Sequence, residues 1–140
     1  MVYLIDTNIL LRAFVKENER TYKECSKLLN LIEDTTLKAR LPGIALSECF
    51  WTMKSFYKCP KPFIHESLQG MLDLFSGKIV DNYNYPLTLN LLKQHPTASL
   101  SDCLMASLPE IQSGLWTIVS YDKDFDKLGL KRLEPKDLLT

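Results

Sequence analysis

The chain has no net charge: 17 Lys and Arg stand against 17 Asp and Glu in 140 residues. That excludes a broad basic face of the kind that holds duplex nucleic acid by counterion release. A nucleic-acid partner would have to be met by local cationic clusters, with metal facing the phosphates. Histidine is scarce, and His65 and His95 both lie away from every motif described below. The four cysteines, Cys25, Cys49, Cys59 and Cys103, form no C-x-x-C pair. Three of them fall in helical patterns, where a free cysteine behaves as a small hydrophobe. A disulfide or thiolate-metal framework is therefore not expected, and the expected compartment is reducing cytoplasm. No apolar run approaches the roughly 20 residues that span a bilayer. Asp6 interrupts the start and no basic segment precedes it, so no signal peptide is expected. Internal repeats, linkers and low-complexity tracts are also lacking, which leaves a single domain over 1–140.

What is present is an ordinary globular composition, 46% hydrophobic and 24% charged, enough to bury a sizeable core. Val2–Ile5 is a continuous apolar run, as expected of a strand buried on both faces. A helix is expected over 8–15, with Thr7 as its N-cap. Tyr22, Cys25, Leu28, Leu29 and Ile32 recur at helical spacing. A short strand is expected over 37–41, closed by Pro42-Gly43, and then a helix over 44–58. Its core stripe is Leu46, Cys49, Phe50, Met53, Phe56 and Tyr57; Glu48 points off it, on a second face with Ile44, Trp51 and Ser55. The break Cys59-Pro60-Lys61-Pro62 precedes a helix over 63–75. A short strand over 78–80 and a helix from Pro86 to Gln94 follow. Ser101 is the expected N-cap of a helix that Pro109 ends or kinks. Trp116–Ser120 reads as a strand, followed by a helical turn and a short strand over 131–133. Strands alternate with helices throughout, the pattern of a parallel α/β sheet.

Four acids stand out against this pattern. Asp6 follows the first strand, Asp122 follows a late strand, Asp102 lies in the first turn of a helix, and Glu48 projects off a core stripe. In a parallel sheet, strand ends and the starts of following helices share one edge. Carboxylates crowded there repel one another unless a cation neutralises them. Oxygen ligands without His or Cys select Mg²⁺ or Mn²⁺, and one or two such ions activate water for attack on a phosphodiester. Taken singly, the acids have plainer readings. Asp102 could favour the helix dipole, Asp122, Asp124 and Asp126 could be a solvated turn, and Glu48 could be plain surface. Asp6 is the hardest to read so, because a charge directly after a buried strand is costly without a partner.

The ordered set Asp6-Thr7-Asn8, Glu48 within P-G-I-A-L-S-E, Asp102 within S-L-S-D-C-L-M-A, and S-Y-D-K-D-F resembles a PIN domain. The nearest kind is the small toxin ribonuclease of VapBC-type toxin–antitoxin pairs, and the resemblance covers nearly the whole chain. It implies a four- to five-stranded parallel sheet flanked by helices in three α/β/α layers. It further implies a cytoplasmic Mg²⁺- or Mn²⁺-dependent endoribonuclease, one or two ions, a homodimer, and a cognate antitoxin. Carried onto this chain, Asp6, Glu48, Asp102 and Asp122 are the catalytic acids, and Asp6, Asp102, Asp122 and Asp124 the metal ligands, with Asp124 an alternative or additional fourth acid. Thr7, Asn8 and Ser120 would support the site. The departure from the family is Pro109, which interrupts a helix that is usually longer.

Cations near these motifs are Arg12, Lys16, Lys54, Lys58, Lys123 and Lys127, suited to positioning RNA phosphates. Trp51, Phe56, Tyr57 and Tyr121 could stack on bases or belong to the core. Three rival readings remain at this level. One is a PIN-type RNA-processing nuclease without an antitoxin. Another is an aspartyl-phosphate phosphotransfer domain, which Asp6 invites but Asn8 and Ile5 disfavour. The third is a non-catalytic interaction module.

Overall fold

The computed structural model describes residues 1–139. It contains strands β1 (Val2–Ile5), β2 (Lys38–Pro42), β3 (Ile79–Val80), β4 (Trp116–Val119) and β5 (Arg132–Leu133). Between them run helices α1 (Thr7–Phe14), α2 (Glu19–Glu33), α3 (Ile44–Ser55), α4 (Lys61–Leu74), α5 (Tyr85–Gln94), α6 (Leu100–Ala106), α7 (Pro109–Gln112) and α8 (Asp124–Lys127). The strands form one parallel sheet in the order β3-β2-β1-β4-β5.

Alternation along the two central strands divides the core. Ile5 and Val119 pack with the apolar stripes of α1 to α4, including Ile9, Leu28, Cys49, Met53 and Met71. Leu4 and Ile118 point the other way, onto Leu91, Met105, Leu108 and Phe125. A strand's side-chain period of two thus gives each face of the sheet its own helical layer, and the fold is the expected three-layer α/β/α arrangement. Burying each Leu, Ile or Phe there contributes about 1.5–3 kcal/mol.

The strand order places a switch point at the centre. From β1 the chain steps outward to β2 and β3, then returns to add β4 and β5 on the other side. The carboxyl ends of β1 and β4 are neighbours, with Ile5 paired to Val119, and helices leave from them in opposite layers. That leaves a crevice just beyond Asp6 and Ser120.

Several local expectations shift. The N-cap of α1 is Asp6, not Thr7: Asp6 keeps extended backbone and its carboxylate accepts from the Thr7 N–H. The N-cap of α6 is Ser99, not Ser101. Helix α3 stops at Ser55 rather than Lys58. There Lys58 takes the left-handed conformation, φ 55, and the Cys59 N–H donates back to the Met53 carbonyl; such a turn more often carries Gly, and a lysine there does not mark the earlier stop. The buried stripe of α3 is Ala45, Cys49 and Met53, and Phe56, expected in it, is exposed. Pro109 both follows the end of α6 and opens α7, where its missing N–H is harmless. The tail forms a 3₁₀ turn, Pro135–Leu138, with a reciprocal Glu134–Asp137 capping box, and Leu138 and Leu139 pack on the first core cluster.

Candidate metal centre

Asp6 reaches the crevice because β1 ends one residue before it. Its side chain is 5% exposed and both carboxylate oxygens are held. Oδ1 accepts from the Thr7 N–H at 2.7 Å and Oδ2 from the Ser120 hydroxyl at 2.6 Å. Ser120, fully buried at the end of β4, is a hub. Its Oγ also accepts from the Asn8 amide at 3.3 Å and from the Asp122 N–H at 2.9 Å. One hydroxyl thereby ties the ends of β1 and β4 together.

Glu48 enters from the second face of α3, as its spacing predicted. Its Oε1 accepts from the Thr7 hydroxyl at 2.7 Å and its Oε2 from the Ser101 hydroxyl at 2.7 Å. Because Asp6 caps α1, the Thr7 hydroxyl is free for this bond. Because Ser99 caps α6 through the Asp102 N–H at 3.1 Å, the Ser101 hydroxyl is likewise free. Two residues expected to cap helices instead clamp an acid.

Asp102 is 7% exposed. One carboxylate oxygen from each of Asp102, Asp122 and Asp124 lies within 4.8 Å of the others. Asp122 Oδ1 also accepts from the Asp124 N–H at 2.8 Å, which fixes the turn after β4. Asp6, Glu48 and these three acids line one cleft of about 280 Å³ together with Thr7, Asn8, Thr97, Ser99 and Ser101.

The electrostatics follow from the crowding. Burial, with Asp102 and Glu48 adding repulsion, pushes the Asp6 carboxyl up to about 7, against the opposing bonds from Ser120 and Thr7. Burial also raises Asp102, with Asp122, Glu48 and Asp124 adding to it, to about 6. Protons held this tightly by acids mark a site short of positive charge. A divalent ion would meet the need. The donor set is all oxygen, and neighbouring ligands around an octahedral Mg²⁺ are about 3–4 Å apart given bonds of about 2.1 Å, so Asp102, Asp122 and Asp124 need close only slightly. Asn8 Oδ1, on the same cleft, is buried without a hydrogen-bond partner. The residues fit a hard divalent cation.

The expected site residues therefore converge in large part. Asp6, Thr7, Asn8, Glu48, Ser120, Asp102, Asp122 and Asp124 all meet at the crevice. Asp6 lines the cleft but stands outside the tight trio. The cations are more dispersed. Arg12 pairs with Glu17 at 3.0 Å, Lys16 with Glu19 at 2.8 Å, and Lys127 with Asp124 at 3.3 Å. Lys54, Lys58 and Lys123 are exposed and form no ion pair among the described residues. Of the aromatics, the Tyr121 hydroxyl donates to Glu24 on α2 and the Tyr57 hydroxyl donates to Glu17, while Trp51 and Phe56 are exposed.

Sequence reasoning missed two contributors. Ser101 was placed as a cap; the signal was the second hydroxyl at Ser99, since one helix start needs only one. Arg132 donates to the Ser120 carbonyl at 2.9 Å and pairs with Asp126 and Glu134, holding the end of β4; nothing local in the sequence marks it.

A family model described as PIN domain matches residues 3–131. No curated protein sequence matches the chain. Among solved structures, the chain is similar to VapBC2 from Rickettsia felis bound to a DNA fragment from its promoter, with 22% identity, a TM-score of 0.59, and 96% of this chain and 98% of that chain covered. DNA-bound VapBC from Salmonella typhimurium shares 14% identity with a TM-score of 0.66, over 96% and 98% of the two chains. VapBC-1 from nontypeable Haemophilus influenzae shares 15% with a TM-score of 0.56, over 97% and 99%. Among the described residues, no helix is long and apolar enough to cross a membrane.

Proposed function

The chain belongs to the PIN domain family, and on that premise we propose that it is a Mg²⁺- or Mn²⁺-dependent endoribonuclease, the toxin half of a toxin–antitoxin pair, acting in the cytoplasm as a single domain. The observation that carries this reading is the meeting of Asp102, Asp122 and Asp124 within 4.8 Å on a cleft that Asp6 and Glu48 also line. The VapBC neighbours support the toxin assignment and an antitoxin partner.

Asp102, Asp122 and Asp124 would hold the cation, with Asp6 behind them. When bound, the ion would supply Lewis-acid activation of water and charge neutralisation at the scissile phosphate. The chain's own residues do the rest. Thr7 and Ser101 fix both oxygens of Glu48, so its carboxylate faces the cleft in one orientation. Ser120 and the Thr7 N–H keep Asp6 ionisable despite its burial, because both bonds favour the charged form. A bound cation would favour the ionised form of both Asp6 and Asp102, whose carboxyls burial raises. Lys123, exposed between Asp122 and Asp124 in sequence, is placed to meet a phosphate of the RNA strand. No side-chain nucleophile is required, and no histidine lines the cleft.

The test is cleavage of a mixed set of structured RNAs by purified protein with Mn²⁺, beside an Asp102→Asn variant purified identically. Cutting that disappears with chelator and in the variant supports the reading. Cutting that persists in the variant overturns it. Dependence on an antitoxin is tested separately, by co-expressing the product of an adjacent small reading frame and asking whether it suppresses the same cleavage.

A further inference from the structure

One stretch of the chain has a composition unlike the rest. Between Glu48 and Glu66 there is no acid, although acids make up 17 of 140 residues. The same stretch carries Lys54, Lys58 and Lys61 interleaved with Phe50, Trp51, Phe56, Tyr57 and Phe63. It folds as α3, the left-handed turn at Lys58, and the start of α4. Three of its aromatics stay in water: Trp51 is 58% exposed, Phe56 68% and Phe63 38%. An exposed Trp is unusual enough to ask what covers it.

The local geometry answers in part. The Lys54 ammonium sits 5.5 Å from the Trp51 ring centre and 5.7 Å from that of Phe50, and Phe50 meets Trp51 edge to face at 5.7 Å. Lys54, Lys58 and Lys61 form no ion pair among the described residues. Between α3 and α4 lies a cleft of about 200 Å³, walled by Phe50, Cys59 and Ile64, with Lys54 and Lys61 both on it. Trp51 follows Glu48 by three residues on the same helical face, about 4.5 Å along the axis. A strand leaving the acid cleft along α3 therefore meets an aromatic ring within one turn, then a two-lysine cleft.

We infer that the α3–α4 corner is a binding platform for single-stranded RNA, with a base stacked on Trp51 and a phosphate held between Lys54 and Lys61. The inference rests on the nuclease reading for its ligand. Charge complementarity selects that ligand: cations without acids suit phosphates, and exposed aromatic faces suit unstacked bases. The platform also supplies what the acid cleft lacks. Five carboxylates repel a polyanion, so affinity for the strand has to come from beside them. Stacking has little sequence preference, so the platform would grip a single-stranded segment and leave choice of the cut to other contacts.

The test measures binding without cleavage. A fluorescein-labelled oligouridylate of about ten nucleotides is titrated with full-length protein in chelator, by anisotropy, at several salt concentrations. Trp51→Ala is expected to weaken binding about tenfold, and Trp51→Phe to restore most of it. Lys54→Ala with Lys61→Ala is expected to reduce the slope of log affinity against log salt by about 0.7, the value for one neutralised phosphate on a single strand. Stacking should also quench tryptophan emission in the wild type and not in Trp51→Phe, where Trp116 alone remains. Unchanged affinity in both Trp51→Ala and the double-lysine variant overturns the platform, as does absence of binding by the wild type. A loss of affinity accompanied by a change in sedimentation mass also overturns it, since the patch would then be a protein–protein surface. Because metal is absent throughout, these outcomes stand apart from the nuclease reading, which fails if Asp102→Asn still cuts.

Discussion

Asp102→Asn should make the metal-free protein more stable while removing its metal site. The Asp102 carboxylate is almost wholly buried, and it is raised from 3.8 to about 6 by burial and by Asp122, Glu48 and Asp124, against an opposing bond from Ser99. That displacement corresponds to about 3 kcal/mol at most, at 1.36 kcal/mol per pH unit. Relaxation of the neighbours and entry of water reduce the recoverable part to about 1–2 kcal/mol. Asparagine keeps the shape and discards the charge. For a domain of this length the unfolding entropy is about 0.3 kcal/mol/K, so Tm should rise by about 3–6 °C in chelator at pH 8. The sign with pH follows from linkage. Between about pH 4 and 6 the folded state holds a proton on Asp102 that the unfolded chain has released, so wild-type stability falls as pH rises through that window. At pH 4.5 the wild-type carboxyl is already protonated when folded while the unfolded chain is still mostly ionised, so the gain from Asn should shrink to about a third of its value at pH 8. Thermal unfolding followed by circular dichroism reads this directly. With Mn²⁺ at pH 8 the order should invert, because only the wild type gains from binding. A variant that melts at or below the wild type in chelator at pH 8, or whose gain is equal at both pH values, would refute the reasoning.

Three further outcomes follow from the same geometry. Ser120→Ala removes one hydroxyl that serves Asp6, Asn8 and Asp122; urea unfolding should show a loss of about 2–4 kcal/mol, larger at pH 8 than at pH 5, since the Asp6 bond favours the ionised carboxylate. Glu48→Gln keeps an acceptor for one of the two hydroxyls that now donate to Glu48 and turns an amide donor towards the other, and cleavage should fall about 10- to 100-fold with the far-ultraviolet dichroism unchanged. In chelator the wild type as a whole should lose stability as pH rises from about 4 to 7, because Asp6 and Asp102 both have raised pKa values; a differential-scanning series across that range would show Tm falling, where most proteins gain or hold.

The sheet and its helices were legible because their signals are physical and local. The run Val2–Ile5 is apolar on both faces and lies at the centre of the sheet, and the α2 stripe from Tyr22 to Ile32 repeats at helical spacing. The convergence of Asp6, Asp102 and Asp122 was legible for a different reason: strand ends and helix starts share an edge in any parallel sheet, so position in the pattern implied position in space, whereas Glu48 joined them through its place off the core stripe and the resemblance to the family. What failed was finer. Thr7 and Ser101 have the chemistry of caps, but Asp6 and Ser99 took those places, and the displaced hydroxyls went to Glu48. A cap is decided by where the backbone turns, and a shift of one or two residues is below what propensity resolves. Phe56 was assigned to the core because an aromatic on a helix usually is; the left-handed turn at Lys58 ends α3 early and leaves Phe56 outside. The role of Arg132 depends on β5 lying beside β4, a contact between distant segments that no local pattern announces.

The central claim is that five crowded carboxylates form a seat for a divalent cation. Calorimetric titration of Mn²⁺ into the metal-free protein, repeated at pH 6 and pH 8 in buffers of different ionisation enthalpy, tests it most directly. The account predicts binding at both pH values, with protons released at pH 6 from Asp6 and Asp102 and few at pH 8, and binding lost in Asp102→Asn. Absence of binding by the wild type, or binding that the variant retains in full, would contradict it.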